Sequence, residues 1–192
     1  MRLQEFALIA NRLTRAATLF ATLLVAAGFA VAAEDWPRFR GRDGRGIGED
    51  HPALPTTWSI GEEGGQNVAW LADVPGWGWA SPIVCDNKIY LSTVVADEES
   101  RQPNKGLYLG EGVRTPSPGT HRWLVLCYDL DSGQELWRHQ AHVGEPQVPR
   151  HPKSTYAAET AATDGERLYV LFGDLGLYCY ALDGALLWER AI

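Results

Sequence analysis

Between residues 80 and 192 the chain is built from short apolar stretches, each closed by a polar turn. Lys88-Ile89-Tyr90-Leu91 and Arg167-Leu168-Tyr169-Val170 alternate polar and apolar positions, the two-residue period of a half-buried strand. The punctuation between stretches is Asp86-Asn87, Asp131-Ser132-Gly133, Asp164-Gly165 and Asp183-Gly184, residue types that accept the backbone conformations of tight hairpins. This pattern predicts strands at 80–85, 88–95, 123–129 and 135–139, then at 157–163, 167–172, 177–181 and 185–190. Pro82 has no N–H to give to a ladder, so its strand is expected at a sheet edge. The expected class is all-β.

The two sets of four strands are copies. Cys127-Tyr128-Asp129-Leu130-Asp131-Ser132-Gly133-Gln134-Glu135-Leu136-Trp137 aligns with Cys179-Tyr180-Ala181-Leu182-Asp183-Gly184-Ala185-Leu186-Leu187-Trp188, with one turn residue fewer in the second copy. Upstream, residues 86–91 align with 165–170. A third, partial copy ends at Asn67-Val68-Ala69-Trp70, which predicts an orphan last strand around 66–71. Similarity in fixed order means that one supersecondary unit is reused.

The amino terminus follows a different rule. Arg2, Arg12 and Arg15 precede an uncharged Ala/Leu-rich run over 16–33, and Ala30-Val31-Ala32 supplies small residues for cleavage. This reads as a secretory signal peptide over 1–33, helical in its apolar part, leaving no stable membrane span after cleavage. The rival reading is an uncleaved anchor, because 18 apolar residues approach a bilayer's thickness. Export places the protein in the periplasm or outside the cell. Residues 34–65, rich in Pro and Gly, form an irregular segment, and 66–192 hold the repeats.

Composition narrows the field. With 192 residues, 45% of them hydrophobic, the chain is not disordered. A net charge of −7 argues against nucleic acid or an anionic membrane as partner, since both are held by excess Lys and Arg. Eight Trp and 20 Gly suit short strands and tight turns. Cys85, Cys127 and Cys179 are too widely spaced for a disulfide framework or a metal knuckle. Equivalent positions in stacked sheets lie about 10 Å apart, beyond the ~7 Å that a disulfide tolerates between Cα atoms, so buried, unbridged thiols are expected.

Four-stranded units that end in Leu-Trp after an Asp-Ser-Gly or Asp-Gly turn resemble the quinoprotein-type (PQQ-like) β-propeller repeat. Its tryptophan-docking pattern, A-x-D-x-x-T-G-x-x-x-W, is matched by Asp129, Gly133 and Trp137, with Ser132 for Thr and Cys127 for Ala. The second copy keeps Gly184 and Trp188 but has Ala181 for the Asp. The opening from Asp35 to Gly41 and the stretch from His151 to Thr160 are also similar to exported propellers of this kind. The resemblance implies a partial β-propeller of four-stranded antiparallel blades, two complete units plus the orphan strand, with Trp70, Trp137 and Trp188 as wedges between successive blades. A propeller closes with about four to eight blades, so the chain reads as part of a longer frame or, as the second alternative, as one of several chains in an assembly, and its open edges would be aggregation-prone.

Alternate connections of an antiparallel unit emerge at opposite ends. The hairpin turns are minimal at one end, whereas the connections over 71–79, 96–122 and 140–156 are long and share the other. Long loops on a rigid scaffold are where binding usually resides. Candidate ligand-binding residues on that rim are Trp77 and Trp79, which could stack on a planar quinone or a sugar. His151, Lys153, Tyr156 and Glu159 could hold a polar or anionic ligand; the plain alternatives are packing of the loop onto the blade for the two tryptophans and, for this group, a solvated loop with Glu159 tying down backbone N–H groups. His139, His142 and His151 lack the partners of a metal set, and Asp43–Asp50 lacks the order of a calcium loop. No hydrolase or nucleotide motif occurs.

Two functions stay open. The resemblance to outer-membrane assembly propellers implies a non-catalytic binding or scaffold module, whose partner would be a protein or a small polar ligand. The resemblance to quinoprotein dehydrogenases implies PQQ and Ca²⁺, a Glu/Asn/Asp calcium set, a catalytic Asp and, in many members, a vicinal Cys pair. No vicinal Cys pair exists in this sequence.

Overall fold

The computed structural model describes residues 35–50, 52–61, 65–97 and 115–192. The expected signal peptide and the middle of the 96–122 connection lie outside them. The described residues all belong to one compact unit, Ala33–Ile192.

That unit is all-β, with two four-stranded antiparallel sheets in consecutive order. The first contains β1 (Ile83–Cys85), β2 (Lys88–Ala96), β3 (His121–Asp129) and β4 (Glu135–Gly144). The second contains β5 (Ala162–Thr163), β6 (Arg167–Phe172), β7 (Gly176–Ala181) and β8 (Leu186–Ala191). Among the described residues no helix is long and apolar enough to cross a membrane.

The sequence repeat is a structural repeat. Tyr90 pairs with Cys127 and Cys127 with Trp137; Tyr169 pairs with Cys179 and Cys179 with Trp188. Both sheets bulge just after the cysteine, between Cys127 and Tyr128 and between Cys179 and Tyr180. Their last turns close alike despite the missing residue. Asp129 N–H donates to Gln134 O and Gly133 N–H to Asp129 O, as Ala181 N–H does to Ala185 O and Gly184 N–H to Ala181 O.

Strand periodicity puts Tyr90, Val125 and Cys127 on one face of the first sheet. They pack with Leu168, Val170, Tyr178 and Tyr180 of the second into one core. The opposite face of the first sheet carries a smaller cluster of Leu124, Leu126 and Tyr128, flanked by Ile89 and Leu91 and covered by Ala72.

Tryptophans lock the joints. Trp137 lies between the sheets and donates its indole N–H to Leu182 O at 3.3 Å, where Tyr90 Oη also donates. Trp70 donates to Leu130 O at 2.9 Å, and Leu130 is the repeat counterpart of Leu182. Covering one indole contributes about 2–3 kcal/mol. Each ring rests on a turn glycine of positive φ. A Cβ on Gly133 would run into Trp70, and one on Gly184 would come within 3.0 Å of Trp137, so only glycine leaves room for the ring there.

Several expectations need correction. The 66–71 stretch is not a strand: among the described residues only Gln66 of it pairs, with Ser59. Trp70 reaches its seat from irregular chain. The strands expected at 80–85 and 157–163 shrink to β1 and β5 because their leading residues bond to each other. Ala157 O accepts from Trp79 N–H and Ala80 N–H, and Thr160 Oγ1 accepts from Ser81 N–H. In contrast, β4 runs to Gly144, past the expected 139, because β3 begins at His121 and pairs with it throughout.

Pro82 immediately precedes β1, which is a terminal strand as its missing N–H requires. The segment expected to be irregular then does something specific. Trp36 exchanges both backbone hydrogen bonds with Val84, at 2.8 and 3.0 Å, and Pro37 O accepts from Thr163 N–H at 2.8 Å. Residues 36–37 thus staple the first strands of both sheets together.

Candidate functional site

The minimal turns gather at one end, where Asn87 Nδ2 donates to Asp131 Oδ2 at 2.8 Å and Leu130 N–H to Asn87 O at 3.0 Å. The long connections leave from the opposite ends of the strands. There the stretch containing Trp77 and Trp79 lies directly on β2. Trp77 exchanges backbone hydrogen bonds with Val94 at 2.9 and 3.0 Å. A Cβ at Gly76 would collide with Val94 O, and one at Gly78 would sit 2.6 Å from Ser92 O. The backbone is pressed flat because both glycines lack side chains, and the indoles that follow each of them stay in the open, Trp77 43% and Trp79 55% exposed.

Trp79 is nonetheless fixed. Its indole N–H donates to Lys153 O at 2.8 Å and its backbone N–H to Ala157 O at 2.9 Å. The Trp79 ring therefore spans the gap between the 71–79 and 145–161 connections. With its N–H committed, it offers an apolar face to whatever meets the rim.

His151 and Lys153 stand exposed beside it on a self-bonded turn. Lys153 N–H donates to His151 Nδ1 at 3.2 Å, Ser154 N–H to His151 O at 2.8 Å, and the Arg150 guanidinium to Ser154 O at 2.6 Å. Lys153 thus contributes its carbonyl to Trp79 while its ammonium remains at the surface.

Tyr156 occupies a different environment. It is buried, donates its hydroxyl to Val148 O at 3.0 Å and accepts from Ser117 N–H at 3.0 Å. Its own carbonyl accepts from the Trp123 indole at 3.2 Å. Its ring meets His121 edge-on at 5.5 Å and Trp123 at 6.0 Å. Tyr156 ties the 145–161 connection to the residues before β3, out of reach of a ligand at the surface. Glu159 is half-buried and accepts from Ala158 N–H at 3.3 Å, so its carboxylate holds backbone.

The histidines do not converge. His139 lies against Trp137 and Tyr180, and His142 against Trp123, while His151 is on the exposed turn. Among the described residues no three His, Cys, Asp or Glu side chains are placed to hold a metal. Cys85, Cys127 and Cys179 are free and buried. Burial pushes the Cys127 thiol up to about 12 and raises those of Cys85 and Cys179, which keeps them out of the nucleophilic thiolate form.

Two rim groups carry no motif. His121 is buried at the start of β3, with Nδ1 2.9 Å from Gly119 O. Asp174, in the short β6–β7 turn, has a buried Oδ2 with no hydrogen-bond partner among the described residues. Burial raises its pKa and Glu159 raises it further, with His142 and His121 opposing. The brevity of the Gly173–Gly176 turn is the only hint in the sequence that this carboxylate is enclosed by longer neighbours.

Comparison with protein-family models gives no match, and comparison with curated proteins gives none either.

Proposed function

We propose that the two sheets are consecutive blades of an exported quinoprotein-like β-propeller that works as a non-catalytic binding or scaffold module through its long-loop rim. The observation that carries this reading is the Trp79 indole, more than half exposed yet pinned by Lys153 O. An exposed aromatic surface held rigid in advance loses little entropy on binding. Trp77, Trp79, His151 and Lys153 form the contact surface, while Tyr156 and Glu159 hold it in shape. The partner is a protein or a small polar ligand, met in the periplasm or outside the cell. The blade reading is supported by the repeated tryptophan seat.

The second reading, a PQQ-dependent alcohol or aldose dehydrogenase, would need donors for Ca²⁺ and a quinone. The described residues do not fit that group: no three ligands converge, and the cysteines are separate and buried. Titration of the full chain with PQQ and Ca²⁺, followed by tryptophan fluorescence and a dye-linked alcohol or aldose assay, separates the readings. No turnover is expected. Quinone-dependent turnover that Trp79→Ala removes would overturn the binding-module reading.

A further inference from the structure

We infer that Asp174 and Glu159 form a proton-operated latch on the long-loop rim, closed when Asp174 carries a proton and loosened when it gives the proton up. The latch acts on the seat of Trp79, so its bearing on binding rests on the rim reading above.

The two carboxylates come from different connections, Glu159 from the 145–161 connection and Asp174 from the β6–β7 turn. Glu159 Oε1 is pressed against that turn, where a Cβ on Gly173 would come within 2.6 Å of it. Asp174 Oδ2, one residue on, is buried without a hydrogen-bond partner among the described residues. Beside Glu159, Asp174 is faced by His142 of β4, His121 of β3 and Tyr178 of β7. Burial above all, and then Glu159, favour the neutral acid; the backbone N–H of Asp174 and the two imidazoles favour the ion. Neighbouring carboxylates in a partly buried site hold one proton between them more readily than none. A protonated Asp174 gains an O–H, a donor that the ionised side chain lacks, and Glu159 is the adjacent acceptor.

The stretch around Glu159 carries the Trp79 seat. Ala157 O accepts from Trp79 N–H at 2.9 Å and from Ala80 N–H at 3.3 Å. Glu159 O accepts from Ser92 Oγ at 3.5 Å, and Thr160 Oγ1 from Ser81 N–H at 3.0 Å. With the proton present, a bond from Asp174 to Glu159 ties this stretch to the β6–β7 turn. Once solvent takes the proton, two like charges stand side by side and the tie is lost. The rim therefore holds Trp79 more firmly in acid than at neutral pH.

The test is hydrogen exchange of the full chain between about pH 4 and 8, a span that covers ordinary and raised carboxyl values. The intrinsic pH dependence of amide exchange is divided out, and β3 amides serve as the internal standard. Protection of the Trp79, Ala80 and Ser81 amides should fall about fivefold as pH rises, the scale of one buried hydrogen bond lost. Asp174→Asn supplies a neutral donor at every pH, so protection should stay high throughout. Glu159→Gln removes the anionic acceptor and should abolish the gain in acid. Protection independent of pH in the unsubstituted chain would overturn the latch without recourse to a variant. A pH dependence that survives Asp174→Asn would overturn it too, by assigning the proton to His121, His142 or Glu159. Quinone-dependent turnover would sink the rim reading and leave these exchange results standing.

Discussion

The Trp137 indole N–H meets the Leu182 carbonyl across the two sheets at 3.3 Å. One repeat earlier, Trp70 meets Leu130 at 2.9 Å in the same way. Two seats of one design show why the spacing from Gly133 to Trp137 is kept in the second unit. The tryptophan fills the joint ahead of it, and the glycine makes room for the tryptophan behind it.

Gly184→Ala should therefore cost more than backbone strain alone. Its φ is +97° and its new Cβ would meet Trp137 and His139; Gly165 has φ +94° with nothing within 4 Å. Strain at such a φ costs about 1–3 kcal/mol in either variant, and overpacking adds about 1–3 kcal/mol for Gly184 alone. Urea denaturation should rank Gly184→Ala below Gly165→Ala. Equal midpoints would mean that the ring does not bear on the glycine.

Asp129 makes the first seat sensitive to acid. Its Oδ1 accepts from Ser132 N–H at 2.8 Å and Ser132 Oγ at 2.6 Å, and these bonds hold its pKa below the usual carboxylate range. A group whose folded pKa is depressed stabilises the fold above its unfolded value and loses that contribution as pH falls through the folded one. The loss falls below about pH 4. Asp129→Asn should be less stable than wild type at neutral pH, with the gap narrowing in acid. The second unit has Ala181 here, so the same titration should leave its turn unmoved.

The strands between hairpin turns were legible because a period of two and Asp, Asn or Gly punctuation are local signals. The same holds for the two tryptophan seats, since Trp70 and Trp137 stand at equivalent ends of a repeat. The length of β4 was not, because the bulge at Trp123 and Leu124 resets the alternation that marks a strand. Nor was the staple at Trp36 and Pro37, whose bonds to Val84 and Thr163 span long separations and leave no periodicity. At the rim, Trp77 and Trp79 stood out by composition. Nothing in the order of residues separates a buried Tyr156 from an exposed Lys153, because that depends on Ser117, Val148 and Trp123 arriving from elsewhere.

The cysteines provide a simple check on packing. All three are buried with raised thiol pKa values. A chromogenic disulfide reagent at pH 8 should label none of them in the folded protein within minutes and all three in denaturant. Rapid labelling of Cys127 under native conditions would show that the joint between the sheets opens readily.

Tyr156→Phe removes one hydroxyl that serves two connections. The Val148 carbonyl and the Ser117 N–H both lose their partner, at about 1–2 kcal/mol in all. Hydrogen exchange should speed up around 117 and 145–156 while β6 and β7 stay protected. Unchanged exchange near 117 would mean that the hydroxyl does not anchor the rim.

Asp174 should respond to pH in the opposite sense to Asp129. Burial of an oxygen that has no partner among the described residues, with Glu159 nearby, raises its folded pKa. A raised pKa means that the folded state binds the proton more tightly, so this contribution is greatest below the unfolded pKa and fades as pH rises through the folded one. Burial disfavours the charged form, so Asp174→Asn should stabilise the protein as pH rises, by about 1 kcal/mol, the scale of one unsatisfied buried group. Near pH 3 the aspartate is largely neutral, and the advantage of asparagine should shrink toward zero. Chemical denaturation of both proteins at pH 3, 5 and 7 measures the trend. An advantage independent of pH would assign the effect to packing rather than to the buried charge, and destabilisation at pH 7 would show that Asp174 bonds to a partner that holds it ionised.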